Sequence, residues 1–260
     1  MAKGKAGCAI GCGILVICMA VAAIGWSITF LDAKSPFRNL APVPTDVPPA
    51  AGEAVPAVDI TTGGRTSLKL GFWAEPISKQ TDIPLAALEA YGNAQLIAQD
   101  RYPQCGVTWN TLAGIGWVET RHGTYNGQIF GGSRIDENGY AVPKIVGIQL
   151  DGSPGFENIP DTDKGELDGD TEYDRAVGPM QFIPETWYRY GMDANGDGVA
   201  DPNQIDDAAA TAAIYLCDKG GDLTTPEGWV RAVASYNASA SYRADVVHAA
   251  ASYALGQPVE

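Results

Sequence analysis

Three textures follow one another along the chain. Ala6 to Leu31 is apolar without interruption, Pro36 to Pro56 is rich in proline among Ala, Val and Thr, and beyond Ser67 apolar residues recur at helical spacing. In that last part Pro84, behind Thr81-Asp82-Ile83, opens an amphipathic run through Leu88, Tyr91, Gln95 and Ala98 that stops before Pro103. A second helix is predicted from about Thr108 to Glu119, with Leu112, Ile115 and Val118 on one face. Asp206 or Asp207 heads an alanine-rich helix that should end at Lys219-Gly220-Gly221, since glycine accepts the left-handed turn that stops a helix. Pro226 starts another, to about Tyr236, and Tyr242 to Tyr253 forms the last. Between Gly123 and Val177 the pattern breaks into a Gly/Asp-rich excursion with little periodicity, either functional or holding short strands. The expected fold class is mainly α.

The apolar run changes the picture most. As a helix its 26 residues would be about 39 Å long, more than the roughly 30 Å of hydrocarbon in a bilayer. Lys3 and Lys5 precede it, which predicts an N-terminus inside and the remainder outside. Ala20-Val21-Ala22 resembles a signal-peptide cleavage site, but Ile24 to Leu31 stays apolar beyond it, which favours a retained anchor. The division expected is therefore a transmembrane anchor at 1–31, an extended proline-rich spacer at 32–66 and a folded domain at 67–256.

Charge and cysteine narrow the class. Lys and Arg total 17 against 31 Asp and Glu, a net charge of -14, which argues against a nucleic-acid partner. The two histidines, His122 and His248, are far apart, so a multi-histidine zinc site or a Ser-His-Asp triad starts poorly. Cys8, Cys12 and Cys18 fall in the apolar run, leaving Cys105 and Cys217 in the outer domain, where an oxidising compartment favours their pairing.

Three short motifs carry chemistry. Glu119 ends an otherwise apolar helix, Ala113-Gly114-Ile115-Gly116-Trp117-Val118-Glu119, and is followed by Gly123. The negative end of the helix dipole and apolar neighbours both disfavour its charged form, as suits a general acid for glycosidic cleavage. The turn Gly178-Pro179-Met180-Gln181-Phe182 offers backbone groups, an amide and an aromatic edge to a sugar bearing N-acetyl groups. Ser235-Tyr236-Asn237 sets a phenol and an amide together at a helix end. Taken singly, each has an ordinary explanation: a solvated Glu, a Pro-bounded turn, a helix stop. A fourth motif, Asp193-Ala194-Asn195-Gly196-Asp197-Gly198-Val199, matches the head of an EF-hand loop, with Val199 ligating through its carbonyl. Position 12 is Gln204 instead of the usual Glu. The acidic run Asp161-Thr162-Asp163 to Asp168-Gly169-Asp170 could hold a second ion, though such runs are commonly just solvated.

In this order the first three motifs resemble the lytic transglycosylases, nearest the membrane-bound lytic transglycosylase B family in its actinobacterial form. The resemblance runs from about Ile83 to Tyr253 and includes Pro103-Gln104-Cys105, Tyr215-Leu216-Cys217 and Asp161 to Arg175. It implies a lysozyme-like fold behind the anchor and linker. It also implies non-hydrolytic cleavage of peptidoglycan between N-acetylmuramic acid and N-acetylglucosamine. Glu119 would be the sole acid and base; Gly178, Met180, Gln181 and Phe182 with Tyr236 and Asn237 would line the glycan groove. The same resemblance places Asp207 as the closing ligand of a structural calcium held by Asp193, Asn195, Asp197 and Val199. The long insertion after His122 departs from the proteobacterial pattern. A hydrolytic muramidase would need a second carboxylate, for which Asp136, Glu172 and Asp174 are candidates. A catalytically silent wall-binding module is the reading outside enzymes.

Overall fold

The computed structural model describes residues 40–125 and 132–260. The apolar run at 6–31 lies outside them, and among the described residues no helix is long and apolar enough to cross a membrane. Pro42–Glu260 forms one compact unit.

Among the described residues seven α-helices build it, behind a short 3-10 turn at Thr66–Leu70: α1 (Gly71–Thr81), α2 (Leu85–Arg101), α3 (Trp109–Thr120), α4 (Pro184–Tyr190), α5 (Ile205–Gly220), α6 (Pro226–Tyr236) and α7 (Ala240–Ala254). Five match helices expected from the sequence, to within a few residues at each end. Their boundaries are local. The Thr225 hydroxyl caps α6 by accepting from Gly228 N, and the Gln204 side chain caps α5 by accepting from Asp206 N and Asp207 N at 2.6 and 3.0 Å. Helices α1 and α4 were not expected; α1 carries Pro76 in its middle and α4 has 7 residues.

Helix α3 is buried along nearly its whole length, from Trp109 to Gly116, as its all-round apolar sequence requires. It packs on α7, and Gly114 makes this possible: a Cβ there would lie 2.9 Å from the Val246 carbonyl. Gly116 likewise leaves room for the Tyr91 hydroxyl of α2. Helix α5 packs on α2 and α6, and Cys105, just before α3, is disulfide-bonded to Cys217 of α5 with Cα atoms 5.3 Å apart.

The excursion contains four short strands in two antiparallel pairs: β1 (Arg134–Ile135) with β2 (Ala141–Val142), and β3 (Val146–Gln149) with β4 (Arg175–Val177). Between β3 and β4 the chain is held by aspartates that accept main-chain amides. Asp161 Oδ1 takes Asp163, Lys164 and Gly165, and Asp163 takes Gly165 and Leu167. Acid side chains, not apolar periodicity, order this stretch.

The proline-rich segment differs from a free spacer. Residues 42–64 are extended, as proline dictates, yet they lie along the helical unit as a strap. The Trp109 indole donates to Glu53 O at 2.9 Å, Gly52 N donates to Asn110 Oδ1 at 3.1 Å, and Asn110 Nδ2 donates to Ala50 O at 3.0 Å. Val47, Val55 and Val58 are partly buried against the core. The groups the helices bind are main-chain ones between the prolines, the Ala50 and Glu53 carbonyls and the Gly52 amide.

Candidate active site

The geometry starts from the end of α3. The helix stops because Arg121 and His122 adopt left-handed backbone, φ 52° and 61°, followed by Gly123 at 80°. His122 then turns into the interior, where its ring meets the Tyr91 hydroxyl at 3.2 Å and the Tyr253 hydroxyl at 2.8 Å. Burial, reinforced by the Arg121 charge, pushes its pKa down to about 3, so this histidine is a neutral structural pin. Thr120 ties the same corner to the turn opposite in sequence: its hydroxyl donates to Pro179 O at 2.6 Å and accepts from Gly123 N at 2.8 Å.

Glu119 is thereby held half-buried in a groove of about 810 Å³. Burial pushes its carboxyl from 4.5 up to about 7, and a hydrogen bond from Tyr242 of α7 draws it part of the way back. That bond, Tyr242 hydroxyl to Glu119 Oε1, measures 2.5 Å. Tyr242 itself is buried, and burial together with the Glu119 charge holds its phenol protonated well above its ordinary range. A carboxyl that is half-ionised near neutrality can both give and take a proton.

The turn at 178–182 is closed by paired bonds between Val177 and Phe182, N to O at 2.8 and 3.0 Å. Gln181 has left-handed backbone, and its amide donates to Gly178 O at 2.9 Å. Gln181 and Phe182 line the groove, as do Tyr236 and Asn237. The Tyr236 hydroxyl donates to Met180 O at 2.6 Å, which joins the end of α6 to the turn. Gly178 and Met180, expected to meet substrate, do otherwise. Met180 is fully buried, its thioether in the core. Gly178 has φ 77°, and a Cβ there would collide with the Pro202 carbonyl. Both shape the turn from behind, while Gln181 and Phe182 carry the side chains that face the groove.

The candidate second carboxylates do not reach the groove. Asp136 accepts the amides of Asn138 and Tyr140, Asp174 is buried against Thr162, and Glu172 is exposed on the Asp-rich loop. Among the described residues, the one carboxylate besides Glu119 that lines the groove is Glu157, at the tip of a hairpin in the insertion. Glu157 and Tyr242 escaped sequence reasoning. Neither sits in a local motif, and Tyr242 lies 123 residues from its partner.

The EF-hand-like loop has its hard oxygens in order but a different closure. Asp193 accepts the amides of Gly196 and Gly198 at 2.7 and 2.8 Å, and Asn195 accepts Asp197 N at 2.8 Å. Asp197 also receives the Asn195 amide and the Tyr140 hydroxyl, both at 2.9 Å. Asp207, buried at the start of α5, faces the loop amides: its oxygens accept Ala194, Asn195 and Asp201 N at 2.8, 3.0 and 3.0 Å. Burial pushes it up to about 7. Asp193, Asn195, Asp197 and Asp207 thus direct their oxygens at amides of the loop itself. Separately, Asp161, Asp163 and Asp174 bring one carboxylate oxygen each within 4.8 Å of one another.

Residues 162–234 match the family described as Transglycosylase SLT domain. That stretch holds the 178–182 turn and the 193–207 loop, while Glu119, Tyr236 and Tyr242 lie outside it. No curated protein matches the chain. Two solved structures of the Escherichia coli lytic transglycosylase Slt35, one in complex with bulgecin A and one in complex with calcium, are similar at 16% identity. Each covers 75% of this chain and 84% of that chain, with a TM-score of 0.40.

Proposed function

We propose that this protein is a peptidoglycan lytic transglycosylase in which Glu119 is both acid and base. The observation that carries the reading is a single half-buried carboxyl, lifted to about 7 and held by a tyrosine, in a groove of about 810 Å³. The match of residues 162–234 to the transglycosylase domain supports it.

The reading implies the following steps. Protonated Glu119 donates to the glycosidic oxygen as the bond from C1 of N-acetylmuramic acid breaks, releasing N-acetylglucosamine with its hydroxyl. The substrate's own N-acetyl group stabilises the cationic centre. Glu119, now ionised, takes the proton of the muramoyl 6-hydroxyl, whose oxygen closes on C1 to give a 1,6-anhydro end. No water enters and the carboxyl is restored. Tyr242 holds the reacting oxygen's partner in place throughout.

Mass spectrometry of digests of purified sacculi tests the reading. Wild type should yield 1,6-anhydromuramoyl ends and Glu119→Gln essentially none. A hydrolytic muramidase is the second reading, favoured by Glu157 in the same groove; reducing muramoyl ends would establish it in place of the first.

Two further parts of the proposal concern the surroundings. Calcium at Asp193, Asn195, Asp197 and the Val199 carbonyl would cross-link the loop, while Asp207 shapes it through three amides; it would supply stability and no acid or base. The apolar run at 6–31 would anchor the protein with its N-terminus inside and the catalytic unit on the wall side. N-terminal sequencing of membrane-extracted protein checks this, and a start near Ala23 would remove the anchor.

A further inference from the structure

Four aromatic residues line the groove of Glu119: Phe156, Phe182, Tyr215 and Tyr236. Three of them are packed on one another, with Phe182–Tyr236 and Tyr215–Tyr236 ring centres 5.6 and 5.8 Å apart. Both of those tyrosine hydroxyls are bonded to main-chain carbonyls of the protein. Phe156 alone is exposed, at 46%, and Ile148 on β3 beside the same groove is exposed at 54%. Large apolar side chains standing in water at the rim of a cleft mark a place where something apolar is expected to cover them.

The tip that carries Phe156 is built to hold it there. Ile159 N donates to Leu150 O at 2.9 Å and Gly152 N to Glu157 O at 3.1 Å, closing a hairpin whose end is the turn Ser153-Pro154-Gly155-Phe156. Asp151 Oδ1 accepts Ser153 N at 2.9 Å, and Asn158 Nδ2 donates to Asp151 O at 3.1 Å. Gly152 is required by both its φ of +81° and the Asn158 amide, which a Cβ would approach to 2.9 Å. The tip is therefore fixed by polar bonds that leave the phenyl ring free of the core. This hairpin also precedes the 162–234 stretch that matches the transglycosylase domain.

We propose that Phe156 is a specificity-determining residue of the groove, the platform on which one pyranose ring of the glycan strand stacks. The inference rests on the peptidoglycan reading above. A pyranose presents an apolar face of C–H groups, which an exposed ring covers without requiring a hydrogen-bond partner. The hairpin thus adds a binding position to a groove whose other aromatic rings are packed on one another.

The test uses the full chain and peptide-free glycan strands of alternating N-acetylglucosamine and N-acetylmuramic acid. Loss of one aromatic contact should raise KM about 3- to 10-fold in Phe156→Ala with little change in kcat, while Phe156→Trp keeps a wild-type KM. The melting temperature of Phe156→Ala should equal that of wild type, since the ring supports no core. An unchanged KM in Phe156→Ala, or the same rise in Phe156→Trp, overturns the proposal. Binding separates this outcome from failure of the functional reading. On an inactive Glu119→Gln background, calorimetric titration with the same strands should weaken by the same factor on adding Phe156→Ala. A wild type that cuts no glycan overturns the transglycosylase reading, and equal binding by the two Glu119→Gln proteins overturns the role of Phe156.

Discussion

Replacing the Glu119 carboxyl should make the protein more stable in alkaline solution. Glu119 titrates at 4.5 when free and at about 7 in the folded chain, because burial penalises its charge. Between those values the folded state binds more protons than the unfolded state, so stability falls as pH rises through the interval and stays lowered above it. The interval of about 2.5 pH units corresponds to about 3 kcal/mol at 1.36 kcal/mol per unit. Water reaches one side of the half-buried carboxyl, which trims the figure to about 2 kcal/mol. Glu119→Gln has the same shape and never ionises, so at pH 8 it escapes this cost and at pH 4 it gains nothing. For a unit of this size the gain is about 4 to 8 °C in melting temperature. His122, with its pKa pushed down to about 3, also shapes acid stability, but it is common to both proteins and cancels. Calorimetric melting of both proteins at one-unit steps from pH 4 to pH 8 reads the difference directly. A difference that is flat with pH, or that favours wild type at pH 8, would refute the claim that burial controls this carboxyl.

Three other expectations come from the same structure. Tyr242→Phe removes the bond that lowers Glu119's pKa, so the alkaline limb of kcat/KM should move upward by about one pH unit; a limb that stays or moves down argues against the bond. Reducing Cys105–Cys217, which closes a span of 112 residues, should cost about 4 to 5 kcal/mol, seen as an earlier denaturant midpoint. Calcium should raise the melting temperature of wild type and leave Asp197→Ala unmoved; an equal rise in both would place the ion elsewhere, with Asp161, Asp163 and Asp174 the next set to mutate.

What could be read in the sequence was what is written locally. Helices α2, α3, α5, α6 and α7 show their ends in single residues, such as Pro84, Pro226 and the Gly220-Gly221 pair. Helix α1 hides because Pro76 sits where an uninterrupted pattern is needed, and α4 because 7 residues make too few turns for a period. The strands of the insertion, 2 to 4 residues each, are shorter than any alternation can mark. Glu119 stood out only in company, as the acid that ends an apolar helix ahead of the 178–182 turn and Ser235-Tyr236-Asn237. Its tyrosine partner did not, since only the packing of α3 on α7 brings Tyr242 to it. Met180 misled for the opposite reason: its neighbours in the motif face the groove, and the turn rotates its own side chain away.

The strap at 42–64 is held by its main chain, through the Glu53 and Ala50 carbonyls and the Gly52 amide, and by Val47, Val55 and Val58 packed against the core. Bonds to peptide groups are nearly blind to side-chain identity, so the exposed positions of the strap should tolerate extensive substitution while these valines stay apolar. Gly52 is the exception, because a Cβ there would come within 2.5 Å of the Trp109 ring. Related chains with the same architecture should therefore diverge at the exposed positions of this segment yet keep a glycine facing the tryptophan and apolar residues at 47, 55 and 58. A library randomised over 45–58 would expose the same rule as one invariant glycine and a few apolar positions in a permissive background.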